Sequence, residues 1–185
     1  MQLLQRDLHQ KLRVEGAAAR DRIAALVRPL DPAKLNEHPE SKGWSVAQVL
    51  EHLCLADERY HAPLAALLRD SRPDASAPSR EWKPSFIGNF IANSLENPKP
   101  IKRGPRAFRP GPTPRNGVVE AFLTNEKKFA QAMDDAVSYD WRALRIRSPA
   151  LPFWAPKMNV GDGFRIHVVH VTRHSRQIER LVKQL

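Results

Sequence analysis

The stretch Trp44-Ser45-Val46-Ala47-Gln48-Val49-Leu50-Glu51-His52-Leu53 decides how this chain is read. Ser45 and Gln48 have the spacing of a capping box, which satisfies free N–H groups at the start of a helix. Trp44 and Val49 hold the two positions of a hydrophobic staple, which sets the angle at which the chain enters that helix. Val46, Val49, Leu50, Leu53, Tyr60, Leu64, Leu67 and Leu68 then recur at helical spacing and mark one apolar face. Pro63 lies inside this pattern and is expected to kink it, because an interior proline removes a hydrogen bond and crowds the preceding turn.

Three further long helical patterns surround this one. The first runs from Leu3 to Val27, with Leu4, Leu8 and Leu12 on one stripe continued by Ile23, Leu26 and Val27, and ends at Pro29 and Pro32. Beyond a polar loop from Ser71 to Arg80, residues Phe86 to Leu95 predict a short helix covering the end of the bundle. Six prolines fall between Glu96 and Pro114, so that stretch is expected to be irregular or extended. Thr113 reads as the cap of the next long helix, with Pro114 at its favoured first position. Val118, Val119, Phe122, Phe129, Met133 and Val137 line its apolar face.

A second irregular connection, Ser138 to Lys157, leads to a last helix that begins near Asn159 and runs to the C-terminus despite Gly161 and Gly163. The short fragment Leu144-Arg145-Ile146 is the sole strand-like alternation. These elements predict an all-α fold, a four-helix bundle with long irregular proline-rich connections, formed as a single domain over residues 1–185.

Composition narrows the partners. With 42% apolar residues the chain has enough for a packed core, but no run approaches the roughly 20 apolar residues of a spanning helix. The N-terminus lacks the apolar run of a signal peptide and the single cysteine, Cys54, excludes an internal disulfide framework, so a cytoplasmic location is expected. The net charge is +10. Between Asn97 and Val119 lie Lys99, Lys102, Arg103, Arg106, Arg109 and Arg115 with no acidic residue. Such a run either solvates the surface or forms a rim, centred on Arg103, Arg106 and Arg109, that attracts a small anionic substrate. Nucleic acid is the less favoured partner, because no recognised binding motif is present and no aromatics interleave the basic run.

The last helix carries His167, His170 and His174, followed by Gln177. On a helical wheel His167, Val171, His174, Ile178, Leu181 and Leu185 share the buried stripe, with His170 and Gln177 on its shoulder. His167 and His174 are about 10.5 Å apart along the axis, too far to share an ion bound at roughly 2.0–2.1 Å. The workable pairs are His167 with His170, or His170 with His174. His52 lies on the shoulder of the second helix and could reach across to join them.

Asp57 and Glu126 sit on the apolar sides of their helices, where a carboxylate needs a partner. Each is expected either to orient a metal-bound histidine, to serve as a general base, or to pair with an arginine. Gln177 is a further candidate for such a supporting role. Cys54 reads as a small buried hydrophobe, and His9, His38 and His61 as surface residues. No phosphate-binding glycine loop and no nucleophile elbow is present.

The combination Gly43-Trp44-Ser45-Val46-Ala47-Gln48-Val49-Leu50-Glu51-His52-Leu53 with His170-Val171-Thr172-Arg173-His174-Ser175-Arg176-Gln177-Ile178 resembles the DinB-like (DinB/YfiT) superfamily of metal-dependent proteins. The stretch Ala107-Phe108-Arg109-Pro110 is similar to a connection in one branch of that family. The resemblance implies a metal site formed by His52, His170 and His174, with His167 outside it. Three neutral histidines leave a position open, as in catalytic sites, and imidazole donors suit zinc or nickel. Relatives include thiol-dependent transferases using bacillithiol or mycothiol. The resemblance therefore implies a metal-dependent hydrolase or thiol transferase that activates water or a low-molecular-weight thiol. A non-catalytic, metal-stabilised bundle acting as a binding or dimerisation module is the alternative, and a homodimer is expected in either case.

Overall fold

A computed structural model describes residues 3–40, 43–97 and 105–185 of the chain. Its long elements are α1 (Gln5–Val27), α3 (Val46–Arg69), α5 (Val118–Asp135) and α6 (Val160–Val182), with shorter helices α2 (Pro32–Asn36) and α4 (Phe86–Glu96). The fold is all-α, as the periodicity predicts. Around the bundle each long helix packs mainly on two others: α1 packs on α5 and α6, and α3 packs on the same two.

Side-chain pairs fix the directions. Arg22 meets Glu179 and Gly16 lies against Val168, so α1 and α6 run parallel. Asn125 donates to Glu58 and Phe129 lies beside His61, so α3 and α5 are also parallel. His52 meets His170 while Asp57 meets His167, which sets α3 antiparallel to α6. Parallel neighbours cannot be joined by a tight turn. The connection from α3 to α5 must return along the bundle, which is why the chain spends residues 70–117 there.

Each helix begins for a local reason. Ser45 caps α3 through the capping box with Gln48, at 3.2 Å in both directions, and α3 continues through Pro63 to Arg69. Asn159 and Asp162 form the equivalent box on α6. Asp31 caps α2 and Ser85 caps α4. The start of α5 corrects the sequence reading: the helix opens at Val118 after Gly117, whose φ of +67° is left-handed, and not at Thr113 and Pro114. The preceding residue Arg115 accounts for the delay. Its backbone N–H, at 3.4 Å, and its guanidinium, at 2.8 and 2.9 Å, donate to Glu51 on α3, which pins the chain before the helix can start.

The short helix α4 packs along α6. Two antiparallel bridges tie the connections down: β1 (Leu3–Leu4) with β2 (Glu81–Trp82), and β3 (Arg145–Ile146) with β4 (Met158–Asn159). Trp82 is fully buried and its indole N–H donates to Asn159 Oδ1 at 3.0 Å. Gly161 follows from that contact, since a Cβ there would overlap the indole.

The core falls into two apolar clusters. One contains Leu8, Leu12, Phe129, Met133, Trp141 and Phe164; the other contains Ile23, Val49, Leu50, Leu53, Phe122, Val171 and Ile178. Between them, each long helix changes character at the same level: Gly16 and Ala17 on α1, Asp57 on α3, Glu126 on α5 and His167 on α6. The bundle therefore has a polar layer through its middle. No helix among the described residues is long and apolar enough to cross a membrane.

A three-histidine candidate metal centre

His52 on α3 and His170 and His174 on α6 meet at their Nε2 atoms. His52 Nε2 and His174 Nε2 each lie 3.0 Å from His170 Nε2. The three ring centroids are 4.6–4.9 Å apart. His52 and His174 are buried, while His170 is half-buried. The antiparallel pairing of α3 with α6 brings His52 opposite the i, i+4 pair, and the helical twist turns both members of that pair toward it.

The outer nitrogens are held by acceptors. His52 Nδ1 donates to the Phe108 carbonyl at 2.7 Å, and His174 Nδ1 donates to Gln177 Oε1 at 2.8 Å. Protons held at Nδ1 leave the Nε2 lone pairs of two neutral rings directed at the cluster. A single N–H on His170 Nε2 cannot point at both partners, and a cation shared by the three Nε2 atoms would satisfy the converging lone pairs. This donor set fits a divalent ion of the zinc or nickel kind.

Electrostatics keep the rings neutral. Burial pushes the His52 pKa down, and the Arg173 charge adds to this against the raising effect of the Phe108 hydrogen bond. His174 is lowered to about 3, first by burial and then by His52, against the raising effect of the hydrogen bond it donates to Gln177. His170 falls well below its ordinary value through burial and the two neighbouring rings. Neutral imidazole is the form that ligates metal.

The proline-rich connection is a working part of this site. Its short 3₁₀ turn, Arg106–Phe108, delivers the Phe108 carbonyl to His52. Gln48 Nε2 donates to the Gly111 carbonyl at 3.1 Å and holds the same segment against α3. Trp44 lies 5.1 Å from the His52 ring, so the staple residue also supports it. Arg106 opens this turn, Arg109 follows it, and both are exposed; Arg103, with Lys99 and Lys102, lies outside the described residues. Arg115 leaves the expected rim altogether, since it is engaged by Glu51 and Glu58.

Asp57 and Glu126 do not orient the three converging histidines, nor do they pair with an arginine. Both face His167, at 2.9 Å from Nδ1 and 3.3 Å from Nε2 respectively. The cause is axial: Asp57 lies more than a turn beyond His52 on α3, level with His167 on the antiparallel α6. Burial works against a charge on His167, but Glu126 and Asp57 more than offset it and raise the ring to about 10. Its ring also stacks on Phe129 at 3.5 Å. The signal for this pairing was present in the sequence, as three ionisable residues on three apolar faces.

The remaining titratable candidates are also placed. Cys54 is buried and its thiol is pushed up to about 12, chiefly by burial. His38 is exposed, as expected. His9 instead packs edge-on to Trp141 and bonds Asp134 at 2.8 Å. His61 is half-buried, with Nε2 enclosed and lacking a hydrogen-bond partner among the described residues, because it is turned toward Phe129.

The fold and the site together define an all-α bundle with histidines from two helices converging in its interior. The chain belongs to the DinB superfamily, whose family model matches residues 16–178. Comparison with curated proteins and with solved structures gives no match.

Proposed function

We propose that this protein is a metal-dependent enzyme in which His52, His170 and His174 hold a divalent zinc or nickel ion and a small anionic substrate is bound beside them. The observation that carries this reading is the convergence of three Nε2 atoms, with the outer nitrogens of His52 and His174 already committed to Phe108 and Gln177. Such an ion supplies Lewis acidity and lowers the pKa of a water or thiol that reaches it. The chain's own contribution is orientation and charge. Phe108 and Gln177 hold the tautomers, Arg173 places positive charge close enough to depress all three rings, and Arg106 opens the supporting turn that Arg109 follows.

Thiol-dependent transfer is the reaction class these groups favour over hydrolysis. The buried carboxylates of α3 and α5 are engaged elsewhere, Glu51 by Arg115 and Asp57 and Glu126 by His167, and among the described residues none of them bonds the three rings. A low-molecular-weight thiol made acidic by the ion needs no such base, whereas hydrolysis gains from one. The same convergence supports a second reading, in which the ion only cross-links α3 to α6 and stabilises the bundle.

Elemental analysis of untagged protein tests the common premise. One zinc or nickel per chain is expected, and it should be lost in His170→Ala; metal content that ignores that substitution refutes the site. Conjugation of electrophiles only with added bacillithiol or a similar thiol supports transfer, while ester or amide turnover without thiol supports hydrolysis. A metal-dependent melting temperature with neither activity assigns the structural role.

A further inference from the structure

The polar layer at mid-bundle has chemistry that the three-histidine centre does not use. Asp57, Glu126 and His167 come from three different helices and are 2%, 5% and 9% exposed. Each offers a donor atom, and these donors lie within 4.8 Å of one another. Two carboxylate oxygens, Asp57 Oδ2 and Glu126 Oε1, are buried without any hydrogen-bond donor among the described residues. Glu126 Oε1 is 3.3 Å from His167 Nε2, yet the geometry is not that of a hydrogen bond. A protonated His167 therefore leaves the layer incompletely satisfied.

Charge gives the same answer as geometry. Two carboxylates around an imidazolium sum to one net negative charge in the interior. Two carboxylates and a neutral imidazole around a divalent cation sum to zero, and the cation gives both orphaned oxygens a partner. Donors bound at about 2.1 Å stand roughly 3–4 Å apart around an ion, so shifts of under about an ångström close the set. A cavity of about 130 Å³ between α1, α5 and α6 reaches Glu126 and His167. Gly16 and Ala17 leave room for it, while Arg13 and Arg20 at its wall are engaged by Asp134 and Asp21.

We propose that Asp57, Glu126 and His167 form a second divalent-cation site, separate from the three-histidine centre. With two carboxylates to one imidazole it suits a harder ion than the histidine cluster, of the manganese(II) class. The ion replaces the proton that His167 otherwise carries between its two carboxylates.

Manganese(II) titration of the His170→Ala chain, followed by the loss of the free-ion EPR signal, isolates this site from the first. One ion per chain is expected in that background, with affinity falling at least about 100-fold when Glu126→Gln is added. A His170→Ala chain that unfolds cooperatively in urea but leaves all the manganese free overturns the proposal. Zinc retained by Glu126→Gln alone reports that this variant is folded, and it tests the first centre independently of the second. Should the variants fail to fold, the zinc-loaded wild-type chain supplies the answer. Manganese must then broaden the His167 and Phe129 ring resonances, and unbroadened resonances overturn the site.

Discussion

Replacing Gln177 with leucine isolates the part of the histidine site that depends on proton placement. Gln177 Oε1 accepts from His174 Nδ1 at 2.8 Å, so the His174 proton stays on the outer nitrogen and the Nε2 lone pair stays turned inward. Leucine keeps the bulk but cannot accept that bond. The ring is then free to move its proton to Nε2 or to rotate, and ion binding must reverse either change. Supporting hydrogen bonds of this kind are worth about 10–100-fold in metal affinity, or roughly 1.4–2.7 kcal/mol.

The metal-free fold should change by no more than about 1 kcal/mol, because Gln177 is half-exposed and water can replace the lost bond. Competition against a chromogenic chelator near pH 7.5, where unperturbed imidazoles are neutral, gives the affinity. Urea unfolding in the presence of a strong chelator gives the stability. Gln177→Glu, which restores a stronger acceptor, should recover affinity. Unchanged zinc affinity in Gln177→Leu, alongside loss of binding in His174→Ala, refutes the tautomer argument while leaving the ligand assignment standing.

Three other outcomes follow from the packing and charges. Gly161→Ala drives a methyl group into the Trp82 indole and should lower stability by about 1–3 kcal/mol, seen as a reduced urea midpoint; an unchanged midpoint means that contact yields freely. Arg115→Ala leaves the buried Glu51 carboxylate without its guanidinium donors and should cost about 1–3 kcal/mol, with fraying at the start of α5 visible in amide exchange; full protection there contradicts the anchoring role. The metal-free chain should lose stability as pH falls through 6.5, because the unfolded chain takes up protons that His52, His170 and His174 refuse when folded. That slope is at most about 4 kcal/mol per pH unit for three protons. His167 acts in the opposite sense, its stabilisation being complete below about 6.5 and lost as pH rises toward about 10. Chelator-treated urea curves at several pH values test both limbs, and a flat acid limb contradicts the neutral state of the three rings.

Much of this architecture is legible in local patterns. The Ser45–Gln48 box and the apolar stripe after it place α3 to the residue, and Asn159 opens α6 where the pattern begins. The start of α5 was not legible in this way. Thr113 and Pro114 carry ordinary helix-start signals, but a long-range ion pair from Arg115 to α3 outweighs them and moves the start to Val118. His52, His170 and His174 are the same three residues that the family resemblance singles out. Their supporting carbonyl on Phe108 could not be found from residue types, because every residue has a carbonyl and only the chain path selects one.

The sequence by itself determined what each helix presents: a histidine pair at i, i+4, a histidine on the shoulder of another helix, and three ionisable residues on apolar faces. Helical periodicity is a local property, and a short window of residues is enough to set it. Only the tertiary structure decided which of these groups meet. The antiparallel register of α3 against α6 puts His52 level with His170 and His174, and Asp57 level with His167. A relative slide of one turn, about 5.4 Å, would part those partners while leaving every helix unchanged. Register between helices is set by the packing of whole faces, and no single segment of the chain contains it.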